Sequence, residues 1–195
     1  MSRKRSMSEL PPLDASVLPE GICSRYVMAN GLRMHILEAG YETPNRPCVL
    51  MLHGFPELAY SWRYNMVPLA AKGFHVIAPD QRGYGRTTGW AQGYDIDLTS
   101  FGILNLVQDM VDLVTTLGYR QVHAIIGHDA GVQVAAMAGL VRPDIFRSVI
   151  LMSAPNTGAP ARVPGHPLAV TAFQDDPIHQ ALAALPRPRK HYQVY

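Results

Sequence analysis

The chain is poor in charge, in aromatic residues and above all in cysteine. Charged residues make up 16% of its 195 positions, and the formal net charge is only +2. A nucleic-acid binder would show a concentrated basic face, so no nucleic-acid partner is expected. The one basic cluster, Arg3-Lys4-Arg5, reads as a solvated tail. Two cysteines, Cys23 and Cys48, are too few for a disulfide framework and sit in no metal-ligand spacing. Both read as small apolar fillers of a reduced, cytoplasmic protein. No apolar segment follows the basic start as a secretory signal would, and no run is long enough to span a membrane. There is no phosphate loop, no HExxH and no metal cluster, so no cofactor is expected.

What is present is a core-building pattern, with 48% hydrophobic residues. Residues 1–23 hold three prolines and no periodicity, and read as a tail. Ser24–Met28 and Leu32–Ala39 alternate around Asn30-Gly31, a pair that favours a hairpin. Cys48–Leu52, His75–Ala78, Val122–Ile126 and Val149–Met152 are short continuous apolar runs, suited to strands buried on both faces. Between them, residues 58–71, 101–117 and Val132–Leu140 read as helices. Strands alternating with helices predict an α/β fold: a mostly parallel sheet with helices on both faces. In such sheets the site lies beyond the carboxyl ends of the strands. Residues 24–154 form this core. From Ser153 the rhythm stops, and seven of the sixteen prolines fall between Pro155 and Pro188. Residues 155–195 therefore read as an excursion from the sheet, with a short helix near Pro177–Leu185.

The informative stretch is Ala124-Ile125-Ile126-Gly127-His128-Asp129-Ala130-Gly131-Val132. A strand ends in a tight turn and a helix begins. Gly127 and Gly131 would let strand and helix approach closely, and Asp129 would be thrust out at the sheet edge. Taken alone, an aspartate there also serves as a helix N-cap. His53-Gly54-Phe55-Pro56 changes the balance. A loop of this kind after a buried strand supplies a backbone N–H facing the turn. Phe55 N–H and Ala130 N–H together would make an oxyanion hole. An ionised aspartate needs no base to attack a saturated carbon. It favours an epoxide or an alkyl halide over ordinary ester hydrolysis.

The segments HGFPE (53–57), YSWRY (60–64), APDQRGYG (78–85), GHDAG (127–131) and HYQVY (191–195) resemble the epoxide hydrolases of the α/β-hydrolase fold, relatives of haloalkane and haloacetate dehalogenases. The resemblance implies Asp129 as nucleophile, with Phe55 and Ala130 in the oxyanion hole. Tyr192, followed by Gln193, would be a cap tyrosine donating to the epoxide oxygen. Residues 155–195 would then begin a cap. The implied partners are a small hydrophobic epoxide and water. Two departures stand out. Many relatives have tryptophan at the position of Ala130, and its absence, with Phe55 after the HG pair, weakens the haloalkane reading. No arginine stands at 130 or 132, which weakens the fluoroacetate reading. The family's second cap tyrosine, charge-relay acid and histidine base fall after Tyr195. The final strands of its sheet fall there too. This chain is therefore expected not to turn over alone and to be prone to aggregation through an exposed strand edge. A non-catalytic fragment that binds hydrophobic ligands is the reading from another class.

Other polar residues receive structural readings. Asp80 and Arg82 are expected as a loop ion pair or an Asp turn, and Glu57 as a helix cap in preference to a side chain that touches the pocket. Asp109 and Asp112 are expected on a solvated helix face. Tyr60 and Trp62 are expected to pack, and Pro56 to follow a cis peptide bond. His35, His75 and His123 read as structural, and His166, His179 and His191 as exposed.

Overall fold

A computed structural model describes residues 10–93, 95–153, 177–186 and 188–189. The chain divides into two compact units. The first comprises Met1–Trp90 and Leu98–Asn156, and the second Ala91–Asp97 and Thr157–Tyr195.

The first unit is built on a six-stranded sheet. Its strands are β1 (Ile22–Ala29), β2 (Leu32–Ala39), β3 (Cys48–Leu52), β4 (His75–Pro79), β5 (Ala124–His128) and β6 (Val149–Met152). They lie in the order β1-β2-β4-β3-β5-β6. β1 and β2 form the expected hairpin. Asn30 and Gly31 both take positive φ, 47° and 73°, as a turn matching the strand twist requires. β2 meets β4 antiparallel, while β4, β3, β5 and β6 run parallel.

The short apolar runs are explained by burial on both faces. Cys48, Leu50 and Leu52 of β3 enter one core cluster and Val49 and Met51 the other. The first cluster is covered by α2 (Ile103–Thr116) and α3 (Gly131–Val141), which supply Met110, Leu113 and Ala135. The second is covered by α1 (Arg63–Ala71) and the turn before it, with Met66, Ala59 and Trp62. Trp62 packs as expected, being buried. Among the described residues β1 and β6 are the two edges of the sheet, and each of the four apolar residues of β6 is exposed.

Several expectations are corrected. The strand expected at Val122–Ile126 starts two residues later, because Val122 makes only an isolated bridge to Phe146. Cys23 is more than a filler. Its thiol donates to Glu38 Oε1 at 3.3 Å, and burial, with the Glu38 charge, pushes it up to about 12. Asp109 is not solvated but fully buried. It accepts two bonds from Arg82, at 2.8 and 2.6 Å, and one from Asn30 at 2.7 Å. Asp80 and Arg82 therefore do not pair with each other. Asp80 instead holds the His35 ring at 2.8 Å and accepts the N–H groups of Ala59 and Arg86, each at 2.9 Å. Burial opposes its charge, yet these bonds keep the carboxyl below the usual range.

In the second unit, α4 (Pro177–Ala183) lies where a short helix is expected. No helix of the described residues is long and apolar enough to cross a membrane.

Candidate active site

The site forms at the carboxyl ends of β3, β4 and β5. β5 ends in His128, and Asp129 turns the chain directly into α3. Asp129 takes φ = 50°, a left-handed backbone that is uncommon for a residue with a side chain. The strain is held by close packing around it. A Cβ on Gly127 would collide with the Gly131 carbonyl, and one on Gly131 would lie 2.5 Å from Leu52 O. The turn thus fits against the end of β3 only with glycine at both places.

The loop after β3 approaches from the other side. A Cβ on Gly54 would lie 2.6 Å from Asp129 Cβ, so Gly54 is what admits the aspartate. Phe55 N–H then donates to Asp129 Oδ1 at 2.9 Å. The Phe55 and Ala130 N–H groups hold the Asp129 carboxyl below its ordinary value. The donors expected for an oxyanion hole therefore already bear on the aspartate. The Phe55-Pro56 peptide bond is cis.

His53 fixes this loop. It is fully buried, and its ring Nε2 accepts the Gln81 N–H at 3.1 Å. Nδ1 must therefore carry the proton, which it donates to Gly54 O at 2.9 Å. Burial holds His53 below the usual imidazole value, which keeps Nε2 an acceptor. Gln81 Nε2 returns a bond to His53 O at 2.7 Å, and Tyr84 packs edge-on to the imidazole with ring centroids 4.9 Å apart. The ends of β3 and β4 are tied together by this exchange.

Glu57 is a further correction. Its side chain caps no helix; Oε2 accepts Gly54 N–H at 3.3 Å and stands 3.2 Å from His128 Nδ1. Glu57 thus takes the alternative place beside the pocket, and the Gln81 clamp has no counterpart in the sequence pattern. Glu57 looks like a cap because a helical pattern follows it. Gln81 carries no pattern at all. Tyr192 and Gln193 lie outside the described residues, as do His166 and His191. Among the described residues, no three His, Cys, Asp or Glu side chains gather as a metal site.

Chemically, Asp129 Oδ1 accepts the Phe55 N–H, and the Phe55 and Ala130 N–H groups favour the ionised carboxylate. Such a group is equipped to act as a nucleophile through its other oxygen.

Comparison with known proteins places this geometry. Epoxide hydrolase 3 of Siraitia grosvenorii is 38% identical over 150 residues, which are 77% of this chain and 44% of that protein. Epoxide hydrolase A of Mycobacterium tuberculosis is 41% identical over 131 residues, or 67% of this chain and 38% of that protein. The crystal structure of an epoxide hydrolase from Vigna radiata superposes with a TM-score of 0.64 at 38% identity. That match covers 74% of this chain and 44% of the other. The chain thus spans less than half the length of these relatives. Residues 47–186 match the family described as alpha/beta hydrolase fold, and the chain belongs to it.

Proposed function

We propose that the chain carries the nucleophile portion of an epoxide hydrolase, opening a small hydrophobic epoxide to a vicinal diol. The observation that supports this most is the Phe55 N–H bond to Asp129 Oδ1, made at a strained turn after β5. In this reading the free oxygen of Asp129 attacks a ring carbon. The C–O bond to the enzyme forms as the ring C–O bond breaks. The departing alkoxide takes a proton from Tyr192, which Gln193 follows in the cap begun by residues 155–195. Water then adds to the carboxyl carbon of the Asp129 ester, and its proton passes, through the histidine base that the resemblance puts after Tyr195, back to the Tyr192 phenolate. The negative charge that develops on Oδ1 falls on the Phe55 and Ala130 N–H groups, which need not move. The diol leaves with the attacking oxygen, and the carboxylate is restored. His53, Gly54, Pro56, Gly127, His128 and Gly131 shape the site without reacting. Both cysteines are free thiols, in keeping with a reducing cytoplasm.

Incubation with an aryl epoxide, a chloroalkane and fluoroacetate in parallel tests the substrate class. Consumption of at least one equivalent of epoxide, with no halide release, is expected. One equivalent of halide with no loss of epoxide would instead make the chain part of a dehalogenase. No consumption of any substrate by folded protein would favour a ligand-binding fragment.

A further inference from the structure

The parallel strands β3, β4 and β5 begin at the end of the sheet opposite Asp129. Residues 41–47, which lead into β3, meet residues 117–120 there. Between them lies a cavity of about 560 Å³, whose walls include Tyr41, Asn45, Arg46, His75, Tyr119 and Arg120. That volume is in the range of small-molecule sites. A second cavity of about 480 Å³ adjoins it at Pro47 and is lined by Arg147.

His75, part of the wall of the first cavity, backs onto a charge-compensated carboxylate, Glu38. Glu38 receives a two-pronged bond from Arg25, at 2.5 and 3.0 Å. Burial opposes its ionisation, but the bonds from His75 and Arg25 bring it down to about 2. His75 Nε2 faces Glu38 Oε2 at 3.3 Å. The Tyr119 hydroxyl and His75 Nδ1 share a hydrogen bond at 2.5 Å, which leaves the ring of Tyr119 as its face to the cavity.

The donors of the wall are largely unspent. Among the described residues Arg46 makes one bond, from Nη1 to Ala70 O at 2.9 Å, out of five that a guanidinium can make. Arg120 is exposed and forms no ion pair among the described residues. By contrast Arg25, Arg82 and Arg142 each hold a carboxylate. Guanidinium forks beside an amide and aromatic faces suit an oxyanion carried on an organic body, because the fork matches carboxylate and phosphate oxygens in pairs.

We propose that this cavity is a second binding site for a small organic anion. Arg46 and Arg120 hold its carboxylate or phosphate, and Tyr41 and Tyr119 flank its body. The test is titration of the full chain with sodium phosphate and, separately, sodium acetate, at ionic strength fixed with sodium chloride. Backbone amide resonances report the site. Saturable shifts at Asn45, Gly118, Tyr119 and Arg120 are expected with at least one salt. Arg120→Gln, at an exposed position, weakens that binding about tenfold or more, the cost of one charged hydrogen-bond pair. Arg86→Gln removes the same charge elsewhere and leaves it unchanged. Saturation by phosphate alone assigns the site to phosphate esters, and by acetate alone to carboxylates. Non-saturating shifts with both salts, or equal affinity in Arg120→Gln, would overturn the site.

Discussion

Replacing Asp109 by alanine isolates a buried ion pair of the core. Asp109 sits on α2, Arg82 on the loop after β4 and Asn30 in the β1–β2 turn, so one carboxylate joins three distant segments. Its side chain is 0% exposed and that of Arg82 only 9%. Asp109→Ala would leave a guanidinium buried without its partner, at about 3–5 kcal/mol. The orphaned Asn30 amide adds about 1 kcal/mol. Domains of this kind are stable by about 5–15 kcal/mol, so the loss is a large share of the total. At about 2–4 °C per kcal/mol for a chain of this size, Tm falls by roughly 10 °C or more. Urea unfolding followed by circular dichroism measures it. The double variant Arg82→Met/Asp109→Leu sharpens the test, because replacing both charges by apolar groups is often nearly neutral. It should recover most of the loss. The reasoning fails if Asp109→Ala costs under about 1 kcal/mol, the worth of an exposed pair. It fails equally if the double variant is as unstable as the two single losses summed.

Three further outcomes follow from the same geometry. Gly54→Ala places a Cβ 2.6 Å from Asp129 Cβ, so single-turnover epoxide consumption should drop by roughly 100-fold or more while circular dichroism is unchanged. His53→Ala removes the acceptor of Gln81 N–H and the donor to Gly54 O, and should cost about 1–3 kcal/mol in urea. Glu38 binds its proton less readily folded than unfolded, at about 2 against an ordinary 4.5. Its contribution, on the order of 3 kcal/mol, is full above pH 4.5 and fades as pH falls toward 2. In Glu38→Gln the fall in Tm over that interval should be shallower.

Much of the frame is legible in the sequence, because local chemistry dictates it. Asn30-Gly31 can supply two successive positive φ values, and the hairpin follows. The five apolar residues of β3 have nowhere to face but two cores. The spacing of Gly127, Asp129 and Gly131 needs small residues where strand and helix touch, and the collisions a Cβ would make there show why. What was misread depends on partners distant in the chain. Asp109 falls where a helical wheel would place a solvated side chain, and its burial is made tolerable by Arg82, 27 residues earlier, and Asn30, 79 residues earlier. Glu57 resembles a cap until Gly54 folds back on it through the turn that Glu57 N–H closes to Gly54 O. Gln81 acts through its backbone N–H and a side-chain amide, which no residue pattern advertises.

The most direct test of the account is the site of covalent capture. The protein is incubated with an aryl epoxide, quenched in acid and digested, and the peptides are sequenced by mass spectrometry. The account predicts a gain of one epoxide on the peptide containing Asp129, localised to that carboxyl and absent from Asp129→Asn. An adduct on Cys23, Glu57 or His128 with Asp129 unmodified, or equal labelling of Asp129→Asn, would contradict it.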